Sequence, residues 1–238
     1  MAILFISDLH LHPSRLATIE LFLGFLATPA REAQALYILG DLFESWIGDD
    51  DPEPSYAQIC TGLERCVRAG TPIYIMHGNR DFLLGPTFAV QTGCTLIPDP
   101  TRLDLFGTPT LLMHGDSLCT DDVEYQNLRS RLRDPAWQQQ ALALPVSDRL
   151  ELASEARELS TLSNRNKTAA IMDVNPEEVL RVMRQYNVDL LIHGHTHRHA
   201  IHTLTDQNRS ATRIDLGDWF ETASVLVVDE HGWRTERL

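Results

Sequence analysis

Seven side chains of the types that bind metal ions follow short apolar segments of the 238-residue chain. They are aspartates, histidines and an asparagine, in chain order Asp8, His10, Asp41, Asn79, His114, His195 and His197. Carboxylate, imidazole and amide-oxygen ligands without a thiolate suit Mn, Fe or Zn better than Ca. Two such ions about 3.5–4 Å apart can activate water and stabilise both oxygens of a displacement at phosphorus. The pattern therefore predicts a two-metal site for phosphoester hydrolysis.

Each of these motifs has a simpler interpretation when it is taken alone. Asp8 and His10 could serve as a cap and a hydrogen-bonded structural histidine. Gly40-Asp41 could be a turn, and Asn79 could simply occupy the left-handed conformation. Capping does not explain five such elements at five successive strand ends. Because ligands of open α/β sheets lie beyond the carboxyl ends of the strands, we expect the seven side chains to meet in one crevice.

The elements that must position these side chains are short strands alternating with helices. Continuous apolar runs are typical of strands buried on both faces. The five such runs are Ile3–Ile6, Leu36–Leu39, Ile73–Met76, Leu111–Met113 and Leu190–Ile192. Two later strands, about Ala211–Leu216 and Ala223–Val228, are expected to form a meander. The order of strand and helix signals predicts a layered α/β sandwich.

Helix signals separate the strands. Apolar residues recur at helical spacing across 16–26. Ser55 and Gln58 form a predicted capping box at the start of another helix. Asn175 before Pro176 predicts a further helix start, because proline is favoured at the first helical position.

The stretch 121–167 breaks this alternation. It predicts two or three helices and no strand, with Pro135 and Pro145 as the breaks between them. We interpret it as a helical insertion over a core that consists of residues 1–120 and 168–238.

Composition limits the classes of function. The formal net charge of −13 argues against a broad field that would steer nucleic acid, so we expect no nucleic-acid partner. The four cysteines form no CxxC pair and are expected to be buried thiols. Met1 leads directly into an apolar segment without a basic region, and no apolar run approaches the ~20 residues that span a bilayer. We therefore expect no signal peptide and a cytoplasmic protein, and we expect it to be a monomer.

Five motifs carry the predicted ligands: Asp8-Leu9-His10, Gly40-Asp41, Gly78-Asn79-Arg80-Asp81, His114-Gly115-Asp116 and Gly194-His195-Thr196-His197. Together they resemble the motifs of the calcineurin-like metallophosphoesterases, and the resemblance covers nearly the whole chain. It implies a four-layer αββα sandwich with 121–167 as a helical lid over the active site. It also implies two ions, usually Mn²⁺, bridged by Asp41. The first ion would be held by Asp8, His10, Asp41 and His197, and the second by Asp41, Asn79, His114 and His195.

A closer resemblance lies in the segments Trp46–Asp51, His77–Gly85 and Ala170–Asn175. These look like the branch of the family that cleaves a UDP-linked diacylated glucosamine lipid in lipid A biosynthesis. The resemblance implies that a water activated by the two metals attacks the α-phosphorus, which gives UMP and a lipid phosphate. The protein would then be peripheral on the cytoplasmic face of the inner membrane.

The same resemblance implies roles for individual side chains. Those acting at the reacting phosphate would be Asp41, Asn79, Arg80 and His195. The substrate contacts would be Asn79, Arg80, Asp122, Ser160, Asn164, Lys167 and His195, with Tyr125 and Arg157 as further candidates. Arg157, Ser160, Asn164 and Lys167 are spaced three, four and three apart, so they would share one stripe of a helix. On composition alone, such a stripe is usually a solvated face.

Arg80 distinguishes the chain from the broader family, which commonly has histidine at this position. Histidine can protonate a leaving oxygen, whereas arginine stays charged and offers a fixed fork to phosphate oxygens. A leaving phosphate, with a second pKa of about 6, needs little protonation. Arg80 therefore favours cleavage of a pyrophosphate over cleavage of a simple ester. The plainer interpretation is a surface arginine in a turn.

Other functions use some or all of the same residues. A general metal-dependent phosphodiesterase or nucleotide pyrophosphatase of this family would need the same ligands. A non-catalytic scaffold would be expected to have gaps in the ligand set, and here every position is filled. Asp116 could orient a metal ligand or simply form part of a turn.

Overall fold

The computed structural model describes residues 2–165, 171–206, 209–220 and 223–238, with side chains described except at 159–165 and 209. The strands, numbered in chain order, are β1 (Ile3–Ile6), β2 (Ala35–Leu39), β3 (Ile73–Met76), β4 (Thr95–Ile97), β5 (Thr101–Leu105), β6 (Thr108–Leu112), β7 (Leu190–His193), β8 (Ala200–Asp206), β9 (Arg209–Asp215), β10 (Ser224–Asp229) and β11 (Gly232–Arg237). The α-helices are α1 (Leu16–Ala27), α2 (Pro54–Arg68), α3 (Pro86–Thr92), α4 (Val123–Leu132), α5 (Pro135–Leu142), α6 (Val146–Arg165) and α7 (Pro176–Tyr186). Short 3₁₀ turns occupy Pro29–Glu32 and Asp116–Leu118.

The strands form two mixed sheets. The first has the order β11-β10-β1-β2-β3-β4, and the second has the order β5-β6-β7-β9-β8. Strands β1 to β4 run parallel, and β10 joins β1 in antiparallel orientation. In the second sheet β6, β7 and β9 run parallel, while β5 and β8 are antiparallel edges. All five strands predicted to precede ligands therefore have a parallel neighbour.

Three apolar clusters define the layers. The first lies between the first sheet and helices α1 to α3, and includes Ile6, Phe22, Ile38, Ile59 and Phe88. The second lies between the two sheets, and includes Phe5, Leu39, Met76, Ile192 and Ile214. The third lies between the second sheet and α7, and includes Leu111, Val179, Val182, Met183 and Leu191. The order helix, sheet, sheet, helix confirms the predicted αββα sandwich.

The alternation of side chains along β1 shows how one strand serves two layers. Successive residues of a strand point to opposite faces of the sheet. Phe5 packs between the sheets, whereas Leu4 and Ile6 pack on the helices. This is why the run 3–6 is apolar throughout.

Two predictions about helix starts had different outcomes. The Asn175 start is confirmed: the Asn175 side chain accepts hydrogen bonds from the N–H groups of Glu177 and Glu178. The Ser55 capping box is wrong, because α2 begins one residue earlier, at Pro54. Glu53 caps this helix instead, accepting a hydrogen bond of 3.0 Å from the N–H of Ser55.

The predicted meander near the end of the chain is also wrong. β9 lies in the second sheet, beside β7, and β10 lies in the first, beside β1. The chain therefore crosses from the second sheet to the first between these strands. Local sequence does not reveal such a change of sheet.

The stretch 121–165 contains the three helices α4, α5 and α6 and no strand. Pro135 is the first residue of α5, and Pro145 immediately precedes α6. Asp122 and Asp134 cap the first two helices with their carboxylates. Two or three helices were predicted here, and that part of the prediction is confirmed.

Two further findings concern composition. All four cysteines are buried and none forms a disulfide, as predicted. In the described part of the chain, no helix is both long and apolar enough to cross a bilayer.

Candidate metal centre

The loops that follow the predicted strands lie side by side and are bonded to one another. The N–H groups of Asp8 and His10 donate to the carbonyls of Gly40 and Asp41 at 3.1 and 2.9 Å. In the second sheet, the N–H of Gly194 donates to the carbonyl of His114 at 2.9 Å. The two sheets are joined where the N–H of His195 donates to Asp8 Oδ2 at 2.8 Å. The crevice thus forms where both sheets present the carboxyl ends of their strands.

Backbone strain concentrates at this place. The predicted ligands Asp8, His10, Asp41, His195 and His197 have φ of 55°, 48°, 52°, 71° and 58°. Among the other described residues, only Phe106, Asn187 and glycines have positive φ. Non-glycine residues hold this conformation at a cost of order 1 kcal/mol or more, and such residues cluster at functional sites.

Four of the predicted ligands converge at one end of the cluster. His10 Nε2 lies 3.1 Å from His197 Nε2 and 3.7 Å from Asp41 Oδ2. His197 Nε2 lies 3.5 Å from Asp8 Oδ1. One atom each of Asp8, His10 and His197 fall within 4.8 Å of one another, a separation that a single ion can span.

The other three ligands converge beside them. Asn79 Oδ1 lies 3.0 Å from His114 Nε2 and 2.9 Å from His195 Nδ1. Asp41 Oδ1 lies 3.9 Å from His114 Nε2, so its two carboxylate oxygens face the two ends of the cluster. Atoms of Asp8, Asp41 and His114 also lie within 4.8 Å of one another, which places Asp8 near the second group as well as the first.

Two glycines of the motifs make this closeness possible. A Cβ at Gly78 would collide with the backbone and carboxylate of Asp41, and a Cβ at Gly194 would collide with Ser7 and Asp8. Only a residue without a side chain allows backbone to approach a ligand this closely.

The buried carboxylates of the cluster favour positive charge next to them. Burial disfavours protonation of His114, but the charges of Asp41, Asp116 and Asp8 outweigh it and raise its pKa to about 9. Burial also opposes protonation of His197, but the neighbouring carboxylates of Asp218 and Asp8 outweigh it and raise its pKa to about 10. By contrast, burial and the nearby charge of His114 lower the pKa of His195 to about 4. The carboxylates therefore favour positive charge beside His114 and His197, and a bound cation could supply that charge in place of a proton.

The donor set fits divalent ions. Asp8 Oδ1 is buried and accepts no hydrogen bond from the described residues, although Oδ2 of the same carboxylate accepts from Ser7 at 2.6 Å. A buried charged oxygen without a donor is costly unless a cation compensates it. All the ligand types present suit Mn, Fe or Zn.

The imidazoles are oriented from behind by acceptors. Glu44 Oε2 lies 3.1 Å from His10 Nδ1, and Asp218 Oδ2 lies 3.1 Å from His197 Nδ1. The carbonyl of Leu39 lies 2.9 Å from His114 Nδ1. Each contact favours a proton on Nδ1 and leaves the Nε2 lone pair directed at the cluster. Sequence reasoning missed the roles of Glu44 and Asp218, although Glu44 lies three residues after Asp41 and Asp218 two residues after the predicted strand end at Leu216.

A cleft of about 290 Å³ opens over the cluster, and it is lined by part of the predicted substrate-contact set. The members of that set along the cleft are Asn79, Arg80, Asp122, Tyr125 and His195. The Tyr125 ring stacks on the His195 ring with centroids 5.7 Å apart, but its hydroxyl donates to Asp116 rather than pointing into the cleft.

The remaining predicted contacts lie elsewhere or are not described. Arg157 lines a second cavity, of about 470 Å³, beside residues 45–54, and its Nε lies 3.4 Å from Glu44 Oε1. Ser160 and Asn164 belong to the backbone of α6, but their side chains lie outside the described part of the structure. Lys167 lies outside the described residues altogether.

Comparisons with known proteins agree with this chemistry. Residues 1–199 match the family described as "Calcineurin-like phosphoesterase". The "UDP-2,3-diacylglucosamine hydrolase" of Stenotrophomonas maltophilia (strain K279a) is 49% identical, over 100% of this chain and 99% of that protein. A protein of the same name from Xanthomonas oryzae pv. oryzae (strain PXO99A) is likewise 49% identical at the same coverage. Among solved structures, an archaeal phosphodiesterase aligns over 100% of both chains with a TM-score of 0.50 and 14% identity, a likeness of fold alone.

Proposed function

Since the chain belongs to the calcineurin-like phosphoesterase family, we propose that it hydrolyses UDP-2,3-diacylglucosamine to UMP and 2,3-diacylglucosamine 1-phosphate (lipid X), a step of lipid A biosynthesis. The observation that carries this proposal is the 49% identity, along the whole chain, with a protein named for that hydrolysis. The complete set of seven ligand side chains supports it, since hydrolysis in this family depends on divalent metal ions.

Two divalent ions, Mn²⁺ by the resemblance, are proposed to occupy the cluster. One set of ligands would be Asp8, His10, Asp41 and His197, and the other Asp41, Asn79, His114 and His195. Support comes from Asp41, which turns one oxygen toward His10 and the other toward His114. When bound, the ions would supply an activated water and neutralise phosphoryl oxygens.

The chain's own side chains would hold the substrate in line for attack at the α-phosphorus. Arg80 lines the cleft next to Asn79, and its N–H donates to Asp41 Oδ1 at 2.8 Å, which fixes the start of its side chain at the cluster. The guanidinium fork suits two phosphate oxygens. Because the leaving group would be a phosphate, Arg80 would neutralise it without donating a proton.

The stretch 121–167 is proposed to act as a lid that grips the phosphates and the glucosamine of the substrate. Asp122, which caps α4, would contribute together with Arg157, Ser160, Asn164 and Lys167 of the polar stripe. Tyr125 would offer the substrate only its ring, since its hydroxyl donates to Asp116. The substrate is a lipid, so the enzyme would work as a peripheral protein on the cytoplasmic face of the inner membrane. We propose that it does so as a monomer.

The first prediction tests the reaction itself. Rates are compared on UDP-2,3-diacylglucosamine, on bis(p-nitrophenyl) phosphate and on dinucleotides, with Mn²⁺ present and after chelation. Hydrolysis of the lipid nucleotide should be fastest and should require the metal. In oxygen-18 water, mass spectrometry should find the label in UMP, because water attacks the α-phosphorus.

Asp41→Asn is the control, because it removes the carboxylate that faces both ends of the cluster. Unchanged activity in this variant would contradict the role proposed for that carboxylate. Label in the lipid phosphate would place the attack at the β-phosphorus. Equal rates on all three substrates would favour a general phosphodiesterase.

A further inference from the structure

One face of α4 lies against the back of the metal cluster. Tyr125, Arg129 and Arg133 follow one another at intervals of four residues, so they share one side of the helix and its end. All three reach Asp116, a carboxylate with no exposed surface: Tyr125 at 3.1 Å, Arg129 at 2.8 Å and Arg133 at 3.7 Å. Sequence left the role of Asp116 open between a turn and a ligand-orienting group. It is the anchor of this helix.

Arg133 reaches past Asp116 to the loop that carries Asn79. Its Nη2 donates to the carbonyl of Gly78 at 2.9 Å and to the carbonyl of His77 at 3.3 Å. The carbonyl of Gly78 and the N–H of Asn79 belong to one planar peptide group. A donor on that carbonyl therefore fixes the direction in which the chain enters Asn79.

The opposite side of the same loop is held by carboxylates. The N–H of Gly78 donates to Asp81 Oδ1 at 2.7 Å, and the N–H of Arg80 donates to Asp41 Oδ1 at 2.8 Å. These bonds fix the His77–Gly78 peptide and the Asn79–Arg80 peptide. They do not fix the Gly78–Asn79 peptide, which lies between the two. Glycine is free to rotate about its backbone bonds, so this peptide needs a constraint of its own. Arg133 supplies it.

Asn79 can act as a ligand only if its side-chain oxygen stays close to both imidazoles. Its Oδ1 lies 3.0 Å from His114 Nε2 and 2.9 Å from His195 Nδ1. A rotation of the preceding peptide would carry the amide away from both imidazoles. The same helix also backs His195, because the Tyr125 ring stacks on it.

We propose that Arg133 is a positioning residue for the metal centre, which holds the Gly78–Asn79 peptide so that Asn79 can serve as a ligand beside His114 and His195. This inference rests on the proposed function for its metal ions, but not on the identity of the substrate. It assigns to α4 a part in ion binding that differs from gripping the substrate. The guanidinium is itself placed by Asp116 and by the Phe82 ring, whose centroid lies 5.9 Å from it.

The test measures Mn²⁺ binding directly, by titration of the metal-free chain and by the electron paramagnetic resonance signal of paired manganese ions. Arg133→Met keeps the aliphatic bulk against Phe82 and removes the donors. Mutation of groups that orient metal ligands typically costs about 10–100-fold in affinity or activity. We expect a loss of that size in the affinity for the second ion, a weaker paired-ion signal, and a fall in kcat with KM within about twofold.

Two further variants separate positioning from simple support of the helix. Arg133→Lys retains a donor for the Gly78 carbonyl and should recover most of the second-ion affinity. Arg131→Ala removes an exposed arginine from the same helix and should bind both ions like the unmodified chain. Wild-type Mn²⁺ affinities and paired-ion signal in Arg133→Met would overturn the proposal, even if its unfolding temperature fell. An unmodified chain that binds two ions but does not cleave UDP-2,3-diacylglucosamine would instead refute the proposed substrate and leave the Arg133 result intact.

Discussion

Helices α4 and α6 belong to the same predicted insertion, yet arginines tie them to different parts of the core. Arg129 of α4 meets Asp116, which has no exposed surface, at 2.8 Å. Arg149 of α6 is 5% exposed, and it pairs with Asp50, which is 63% exposed. Its Nη1 also donates to the carbonyl of Ile47 at 2.7 Å. The carboxylate of the first pair is thus enclosed by protein, whereas the carboxylate of the second lies at the edge of the solvent.

The two anchors also lead to different places. The contacts of α4 end on the 77–80 loop and on His195, within the cluster of ligands. Arg149 of α6 contacts the 47–50 loop. Further along the same helix, Arg157 contacts Glu44 beside the site. An insertion that sequence presents as one lid therefore has one helix that contacts predicted ligands and their loop directly. The other reaches a predicted ligand only through Glu44, and its proposed task is to meet substrate. The difference can be tested by breaking each anchor in turn.

Asp116→Ala should have the largest effect on stability. It removes the buried partner of Arg129, whose side chain is 23% exposed and keeps Asp99 at 3.8 Å. Removal of one member of a fully buried ion pair typically costs about 3–5 kcal/mol, so the free energy of unfolding, measured with urea, should fall by about the lower end of that range. Second-ion affinity should fall with it, because Arg133 loses the carboxylate that places it.

A double-mutant cycle with Arg129→Ala checks the cause of this loss. Since the two side chains are in contact, the double variant should be more stable than the sum of the two single losses predicts. Strict additivity would show that Asp116 acts through other neighbours. The Asp116–Arg129 pair would then not be the anchor of α4.

Arg149→Ala should have a smaller effect of a different kind. Asp50 remains hydrated when its partner is lost, so the free energy of unfolding should fall by about 1–2 kcal/mol, mainly from the hydrogen bonds to backbone carbonyls. KM for the lipid nucleotide should rise several-fold, while kcat and Mn²⁺ affinity stay unchanged. A loss of Mn²⁺ affinity as large as that in Arg133→Met would show that the two helices act as one unit.

The sequence predicted those parts of the molecule that depend on local pattern. Apolar runs such as 3–6 and 73–76 located parallel strands, and the polar residues after them located the ligands that meet in the cluster. The strand β8 was missed because its residues alternate between more and less exposed positions at a sheet edge, which gives no continuous apolar run. The crossing between β9 and β10 was missed because the choice of sheet depends on long-range pairing.

The missed residues of the site share one property. Glu44, Asp218, Arg129 and Arg133 act by touching a ligand or its loop across a long sequence separation, and no spacing rule connects them to it. Asp116 lies inside a recognised motif, but its partners come from a helix in the insertion. Contacts of this kind depend on how the helix docks, so they appear only in three dimensions.

Tyr125→Phe should have the smallest effect. It tests whether the Tyr125 hydroxyl serves the contact with Asp116 or a contact with substrate. Sequence predicted Tyr125 as a substrate contact, whereas the structure directs its hydroxyl to Asp116 at 3.1 Å and its ring to His195. Phenylalanine keeps the ring, and Asp116 keeps Arg129, so the free energy of unfolding should fall by about 0.5–1.5 kcal/mol. Mn²⁺ affinity and KM should each change less than about threefold, by titration and by steady-state kinetics on UDP-2,3-diacylglucosamine. A tenfold rise in KM with unchanged Mn²⁺ affinity would mean that the hydroxyl turns to the substrate, and α4 would then share the task that the comparison assigns to α6.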